Sequence, residues 1–220
     1  MRERILIFDA VVFDFDGVLV ESLDVKTRAF ATLFRQYGKK IVEKVVAYHV
    51  ANSGISRHIK FQYYHETLLG IPYNQAIGEQ LSKSFSKITL DAVANSPYVT
   101  GAREFLEEFH RQLPLFVASG TPQEELREIL RLRGMQDFFK AAYGSPASKS
   151  SIILDIVRRH NLTPARLLMI GDATADYIGA CEAGTSFIGR VIHNTDSPFP
   201  ANVTTIPDLT KLAKILCLSG

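Results

Sequence analysis

The chain has 220 residues, 46% of them hydrophobic, enough for one large domain or a domain carrying an insert. It holds 25 Lys and Arg against 23 Asp and Glu, a net charge of +2, so there is no electrostatic case for a nucleic acid or an anionic membrane as partner. No apolar run suits a membrane span, no HExxH or CxxC pattern suggests zinc, and Cys181 and Cys217 read as buried, reduced thiols of a cytoplasmic protein.

Residues 5–8 are too short for a secretory leader and lack a small-residue cleavage site, and read as an extension of the first strand or a short extra one. Residues 10–13, Ala-Val-Val-Phe, read as a buried parallel strand. Helices then follow one another. Ser22 can cap a first helix with Phe30, Leu33, Phe34 and Tyr37 on one stripe and Gly38 closing it. A second helix covers 42–50, and Asn52-Ser53-Gly54 breaks the pattern. Ile55, Ile59, Tyr63 and Leu68 mark a third, ending at Gly70. Pro72 starts a fourth, with Ala76, Ile77, Leu81, Phe85 and Ile88 facing inward. Four helices with short connections suggest a small bundle.

After Ser96-Pro97 strands and helices alternate: helix 102–112, strand 115–118, a helix opened by Pro122, a short strand within 138–143, helix 150–160, strand 167–170, helix 177–183 ending at Gly184, strand 186–188 and a closing helix 209–218. Repeated βα units imply a parallel, Rossmann-like sheet with helices on both faces. The expected fold is therefore α/β, with a catalytic core of residues 1–19 and 95–220 and a helical-bundle cap inserted at 20–94.

The chemistry gathers where strands end, the edge at which open α/β sheets bind ligands. Asp14 and Asp16 follow the first strand, with Gly17 allowing a sharp turn. Two carboxylates so close need a cation or a proton between them, and Mg²⁺ with oxygen ligands is the natural answer. Ser119-Gly120-Thr121 follows the second strand and can hold a phosphate oxygen with a hydroxyl and backbone N–H groups. Lys149 stands at a helix start, and Asp172 and Asp176 follow a later strand, spaced by one helical turn.

In this order the residues resemble the motifs of the haloacid dehalogenase (HAD) superfamily over essentially the whole chain. The run Asp14 to Leu19 matches the first motif, Ser119 the second, Lys149 the third, and Gly171-Asp172 with Asp176 the fourth. The insert resembles the helical cap of the branch that holds phosphoglycolate phosphatase and β-phosphoglucomutase. The resemblance implies Asp14 as a nucleophile forming an aspartyl-phosphate. It implies Asp16 as general acid, then base, a role that calls for a raised proton affinity. Mg²⁺ would be held by Asp14, Asp172 and the backbone carbonyl of Asp16, with Asp176 positioning a metal-bound water or binding metal itself. Phe15, Ser119, Gly120 and Lys149 would hold phosphoryl oxygens. Asp16 separates the chain from dehalogenases and from phosphonatases, which lack an aspartate there. In the cap, Gly54-Ile55-Ser56-Arg57 resembles a specificity loop. Arg57 would reach the substrate, or Ser56 would cap a helix with Arg57 exposed. Lys26 would contact the substrate or lie on a solvated face. Lys60, Tyr63 and Tyr64 read as packing and surface.

The function implied is Mg²⁺-dependent hydrolysis of a small phosphate ester, phosphoglycolate or a sugar phosphate. A β-phosphoglucomutase-type mutase and a non-catalytic HAD-like binding protein are the other readings. The active-site residues are common to phosphatase and mutase.

Overall fold

The computed structural model describes residues 6–217. Six strands form one sheet in the order β3-β2-β1-β4-β5-β6, with every neighbouring pair parallel. They are β1 (Ala10–Phe13), β2 (Leu115–Pro122), β3 (Ala141–Ser145), β4 (Leu167–Gly171), β5 (Ser186–Arg190) and β6 (Thr205–Ile206). The apolar runs are continuous because both faces are covered. Val11 and Phe13 join one core with Val117, Ile170, Phe105 and Leu126, while Ala10 and Val12 join another with Phe116, Met169 and Ile153. Helices α5 (Ala102–Phe109), α6 (Gln123–Leu132) and α9 (Leu212–Leu216) cover the first face, and α7 (Lys149–Arg159) and α8 (Thr174–Ala183) the second.

Between β1 and α5 lie α1 (Leu23–Leu33), α2 (Lys39–Ala51), α3 (Arg57–Tyr63), a π-helical turn (Tyr64–Leu69) and α4 (Gln75–Ala94). They bury a core of their own around Phe30, Phe34, Phe61, Tyr64 and Phe85. Each such aromatic contributes roughly 1.5–3 kcal/mol by leaving water, which gives the inserted helices a packing centre separate from the sheet. Two linkers join them to the sheet, and these linkers are bonded to each other: Val20 bridges Tyr98 in antiparallel fashion, Glu21 N–H donates to Pro97 O at 2.9 Å, and Val99 N–H donates to Leu19 O at 3.0 Å. The Arg133 guanidinium closes the exit, donating to the carbonyls of Val93, Ala94 and Ser96 and lying over the Tyr98 ring.

Several sequence expectations need correction. Leu6 forms a single antiparallel bridge with Cys217, so this segment is a short extra pairing rather than a longer β1; Ile5 lies outside the described residues. Helix α4 begins at Gln75 with Asn74 accepting from Ile77 N–H, not at Pro72. Ser22 holds the N-cap position of α1, but its hydroxyl bonds Asp16 instead of the helix. Tyr37, Ile59 and Ile88 are exposed, and so is Ala76, because α3 and α4 turn other positions inward. The strand placed within 138–143 starts at Ala141, after a 3₁₀ turn at Gln136–Phe138. Helix α8 begins three residues before the expected start, α5 stops at Phe109, and α9 covers Leu212–Leu216, position 218 being outside the described residues. Strand β6 carries too few residues to show a pattern. Cys181 is exposed and Cys217 half-buried; both are free.

Candidate active site

The carboxyl ends of β1, β2 and β4 meet beneath the inserted helices. Asp14 leaves β1 with its N–H donated to Ile170 O at 2.9 Å, which ties it to β4. Its carboxylate, 3% exposed, faces Asp172 and Asp176; one oxygen from each of the three lies within 4.8 Å of the others. Asp176 sits in the first turn of α8, where its Oδ2 accepts from Ala173 N–H at 3.1 Å. Lys149, the first residue of α7, reaches into this cluster. Its Nζ lies 2.7 Å from Asp14 Oδ1 and 2.6 Å from Asp176 Oδ1, and it donates to Ala118 O at 2.6 Å. Gly17 has φ of +79°, and a Cβ there would collide with the Asp172 carboxylate, so only glycine lets the first motif close onto the fourth.

One lysine does not neutralise three carboxylates. Burial pushes Asp14 up to about 7, with Asp176 and Asp16 adding to the rise and Lys149 opposing it. Burial also raises Asp172 well above the carboxylate range, followed by the charges of Asp14 and Asp176. Asp172 Oδ1 is buried and has no hydrogen-bond partner. An oxygen-only donor set with an orphaned, charge-crowded carboxylate fits a hard divalent cation.

Asp16 stands apart from that cluster. It accepts from Ser22 at 2.6 Å and from Thr121 at 3.2 Å, and is ion-paired with Lys26, which also donates to Thr121 at 2.8 Å. Burial raises its proton affinity, but the Lys26 charge and these hydrogen bonds outweigh it and hold Asp16 below its ordinary value. In this arrangement its proton affinity is the reverse of what a general acid needs. Lys26 is thus not on a solvated face: it lines the cavity with its ammonium committed to Asp16.

Ser119 and Gly120 lie in an irregularity of β2, where pairing with β3 shifts between Ala118 and Pro122. Ser119 Oγ accepts from Thr121 N–H at 3.1 Å, and Phe15 N–H donates to Asp14 Oδ1 at 2.7 Å. The α2–α3 loop rests on this edge: a Cβ on Gly120 would lie 2.7 Å from Gly54 O. Ser56 caps α3, accepting from His58 N–H at 3.4 Å, yet Arg57 is buried rather than exposed. Its guanidinium donates to both Glu125 carboxylate oxygens and to Ser86, and lies 4.5 Å from the Phe85 ring centre.

A cavity of about 40 Å³ remains between the two parts, lined by Asp14, Asp16, Lys26, Arg57, Gly120 and Thr121, with His49, Lys60, Phe30 and Phe85. Ser119 and Lys149 line an adjoining cleft of about 300 Å³ that shares Gly120. The sequence offered no sign of His49 or Lys60 here, since their meeting depends on how α2 packs on α3. Nor did it show Arg190, which bonds the Gly17 carbonyl at 2.9 Å and pairs with Glu21, fixing the loop after Asp16.

The family model for haloacid dehalogenase-like hydrolases matches residues 11–190. A phosphorylated carbohydrates phosphatase of Thermotoga maritima is 24% identical over 191 residues, 84% of this chain and 86% of that protein. A phosphoglycolate phosphatase of Neisseria gonorrhoeae is 25% identical over 190 residues, 82% and 78%. Among solved structures, the HAD-hydrolase YfnB from Bacillus subtilis bound to magnesium superimposes with a TM-score of 0.71 at 18% identity, covering 95% of this chain and 98% of its own. A phosphoglycolate phosphatase predicted for Haemophilus somnus gives 0.75 at 18% identity, with 95% and 98% covered.

Proposed function

The chain belongs to the haloacid dehalogenase-like hydrolase family, and on that premise we propose that it is a Mg²⁺-dependent phosphatase of small phosphorylated metabolites, phosphoglycolate or sugar phosphates among them. The observation that carries the reading is the Asp14, Asp172 and Asp176 cluster with Lys149 inserted and Asp172 Oδ1 unpartnered. Asp14, Asp172 and the backbone carbonyl of Asp16 would hold Mg²⁺, with Asp176 beside them, and the ion would supply charge neutralisation at the phosphoryl group. Asp14 attacks phosphorus and carries the phosphoryl group as an aspartyl-phosphate. Lys149, the N–H groups of Phe15 and Gly120, and the Ser119 hydroxyl, whose oxygen already accepts from Thr121, hold the phosphoryl oxygens. Asp16 gives a proton to the departing alcohol once Lys26 has moved off it, and as a carboxylate takes one from the water that hydrolyses the intermediate. The helices of residues 20–94 act as a cap whose closure excludes bulk water. The two free thiols fit a cytoplasmic setting.

The test is phosphate release from a panel of phosphorylated metabolites, with and without Mg²⁺, by wild type and Asp14→Asn. Metal-dependent release that disappears in the variant supports the reading; release that survives in both metal-free buffer and the variant refutes it.

A further inference from the structure

Four side chains able to carry positive charge line the cavity over Asp14: Lys26, His49, Arg57 and Lys60. Two of these charges are matched, Lys26 by Asp16 and Arg57 by Glu125. Lys60 is different. It is 3% exposed, and among the described residues no carboxylate lies within ion-pair distance of it. Its Nζ meets Nδ1 of His49 at 2.8 Å and lies 5.5 Å from the centre of the Phe30 ring. His49 is itself buried and packed on Phe30, with ring centres 4.6 Å apart. Burial, then the charge of Lys60, pulls His49 down to about 3, so the imidazole is neutral and its Nδ1 accepts from the lysine.

A buried ammonium with only an imidazole and a ring for company is costly to the fold. Nothing in the packing of α2 on α3 compensates it, whereas an anion in the cavity would. We infer that Lys60, oriented by His49 in the roof of the cavity, receives a second anionic group, carboxylate or phosphate, carried by the alcohol portion of the substrate. The preferred substrates are then small esters with an acidic group at each end, one end at Asp14 and Lys149 and the other at Lys60. Phe30 and Phe85 keep this second pairing away from water, which strengthens it. Burial, followed by the charge of Lys26, brings Lys60 down to about 7, so arrival of an anion also draws a full proton onto the lysine. The inference rests on the reading of the site as a phosphate-ester hydrolase.

The test compares kcat/KM, with Mg²⁺ at pH 7, for three two-carbon esters: ethyl phosphate, carboxymethyl phosphate and ethane-1,2-diyl bisphosphate. Wild type should favour a charged ester over ethyl phosphate by about tenfold or more, and the better of the two distinguishes carboxylate from phosphate. In Lys60→Met the ratio should fall to within about twofold, and Lys60→Arg should keep most of it. Because the ratio is internal to each protein, a general loss of activity cancels. A wild-type ratio near one, or a ratio unchanged in Lys60→Met, overturns the receptor and leaves ester hydrolysis standing. Absence of release from all three esters and from p-nitrophenyl phosphate overturns the hydrolase reading, and this inference with it.

Discussion

Arg57 on α3 and Glu125 on α6 share two parallel hydrogen bonds, of 2.9 and 2.7 Å, and neither side chain is more than 8% exposed. The pair joins the inserted helices to the sheet domain. Removing one partner would strand the other charge in a buried place, at a cost of about 3–5 kcal/mol to the closed arrangement. Arg57→Ala and Glu125→Ala should therefore raise KM alike, for aryl phosphates as much as for metabolites. The double variant should show a coupling of about 1–3 kcal/mol. If Arg57→Ala alone raises KM, and only for one class of ester, the guanidinium leaves Glu125 to bind substrate.

The carboxylate cluster predicts a metal effect that can be read without turnover. Mg²⁺ should raise the melting temperature of wild type by RT ln(1 + [Mg²⁺]/Kd) worth of stability, and EDTA should reverse it. Asp172→Asn removes a carboxyl whose charged form is penalised in the fold by burial, then by the charges of Asp14 and Asp176. The metal-free variant should melt a few degrees above metal-free wild type, and Mg²⁺ should leave its melting temperature unmoved. Asp14→Asn should lower kcat at least about a thousandfold. A metal shift of ordinary size in Asp172→Asn would remove this residue from the site.

Lys60 predicts a pH dependence of stability. In the unfolded chain it titrates near 10.5; in the fold burial and then Lys26 bring it to about 7, with Arg57 also lowering it and Asp16 and Asp172 opposing. Between those values the unfolded chain binds the extra proton, so the stability of the unliganded protein rises with pH across that window. The cost is fully present below about 7. Lys60→Met should then melt a few degrees higher than wild type at pH 7, and the gain should shrink as pH approaches 10. Circular dichroism melts at pH 7, 8.5 and 10 measure it. A variant less stable than wild type at pH 7 would mean the lysine contributes more by packing than its charge costs.

Gly120 offers a way to disturb closure without touching the carboxylates. Its backbone is not in the left-handed region, so alanine suits the strand, but the new Cβ would lie 2.7 Å from Gly54 O. Gly120→Ala keeps the N–H proposed to hold phosphate. It should lower kcat/KM by about tenfold or more while shifting the melting temperature by no more than a degree or two. Unaltered kinetics would show that the Gly54 loop need not seat on β2 for turnover.

What could be seen in the sequence was whatever is written along a single segment. Ala10 to Phe13 announced a doubly covered strand because its alternate residues enter two cores, and Asp14, Ser119 and Asp172 sit at or just past the apolar run of their strands, with Lys149 and Asp176 in the first turn of a helix. What could not be seen depends on pairs distant in the chain. Arg57 finds Glu125 sixty-eight residues away, and Lys26 reaches Thr121 ninety-five residues away. Lys60 and His49 are near in sequence but belong to different helices, and a lone lysine gives no hint of burial. Helix phase misled at Ile88, since an apolar residue in an inserted helix has two possible partners, the other inserted helices and the elements of the sheet, and this one meets neither fully.

The two linkers are bonded to each other at Val20 and Tyr98, and Arg133 gathers the end of α4 onto the same spot. Side by side, they act as one strap rather than two tethers, and a strap permits swinging but resists sliding. Were the helical block to move as the proposed cap, every point of it would follow an arc about a common axis, in step with every other. In the proposed cap movement, Lys26 leaving Asp16, Arg57 parting from Glu125 and the lifting of Lys60 would be phases of one gesture. A visiting molecule would then meet the whole proposed receptor at once or find the door open on all sides.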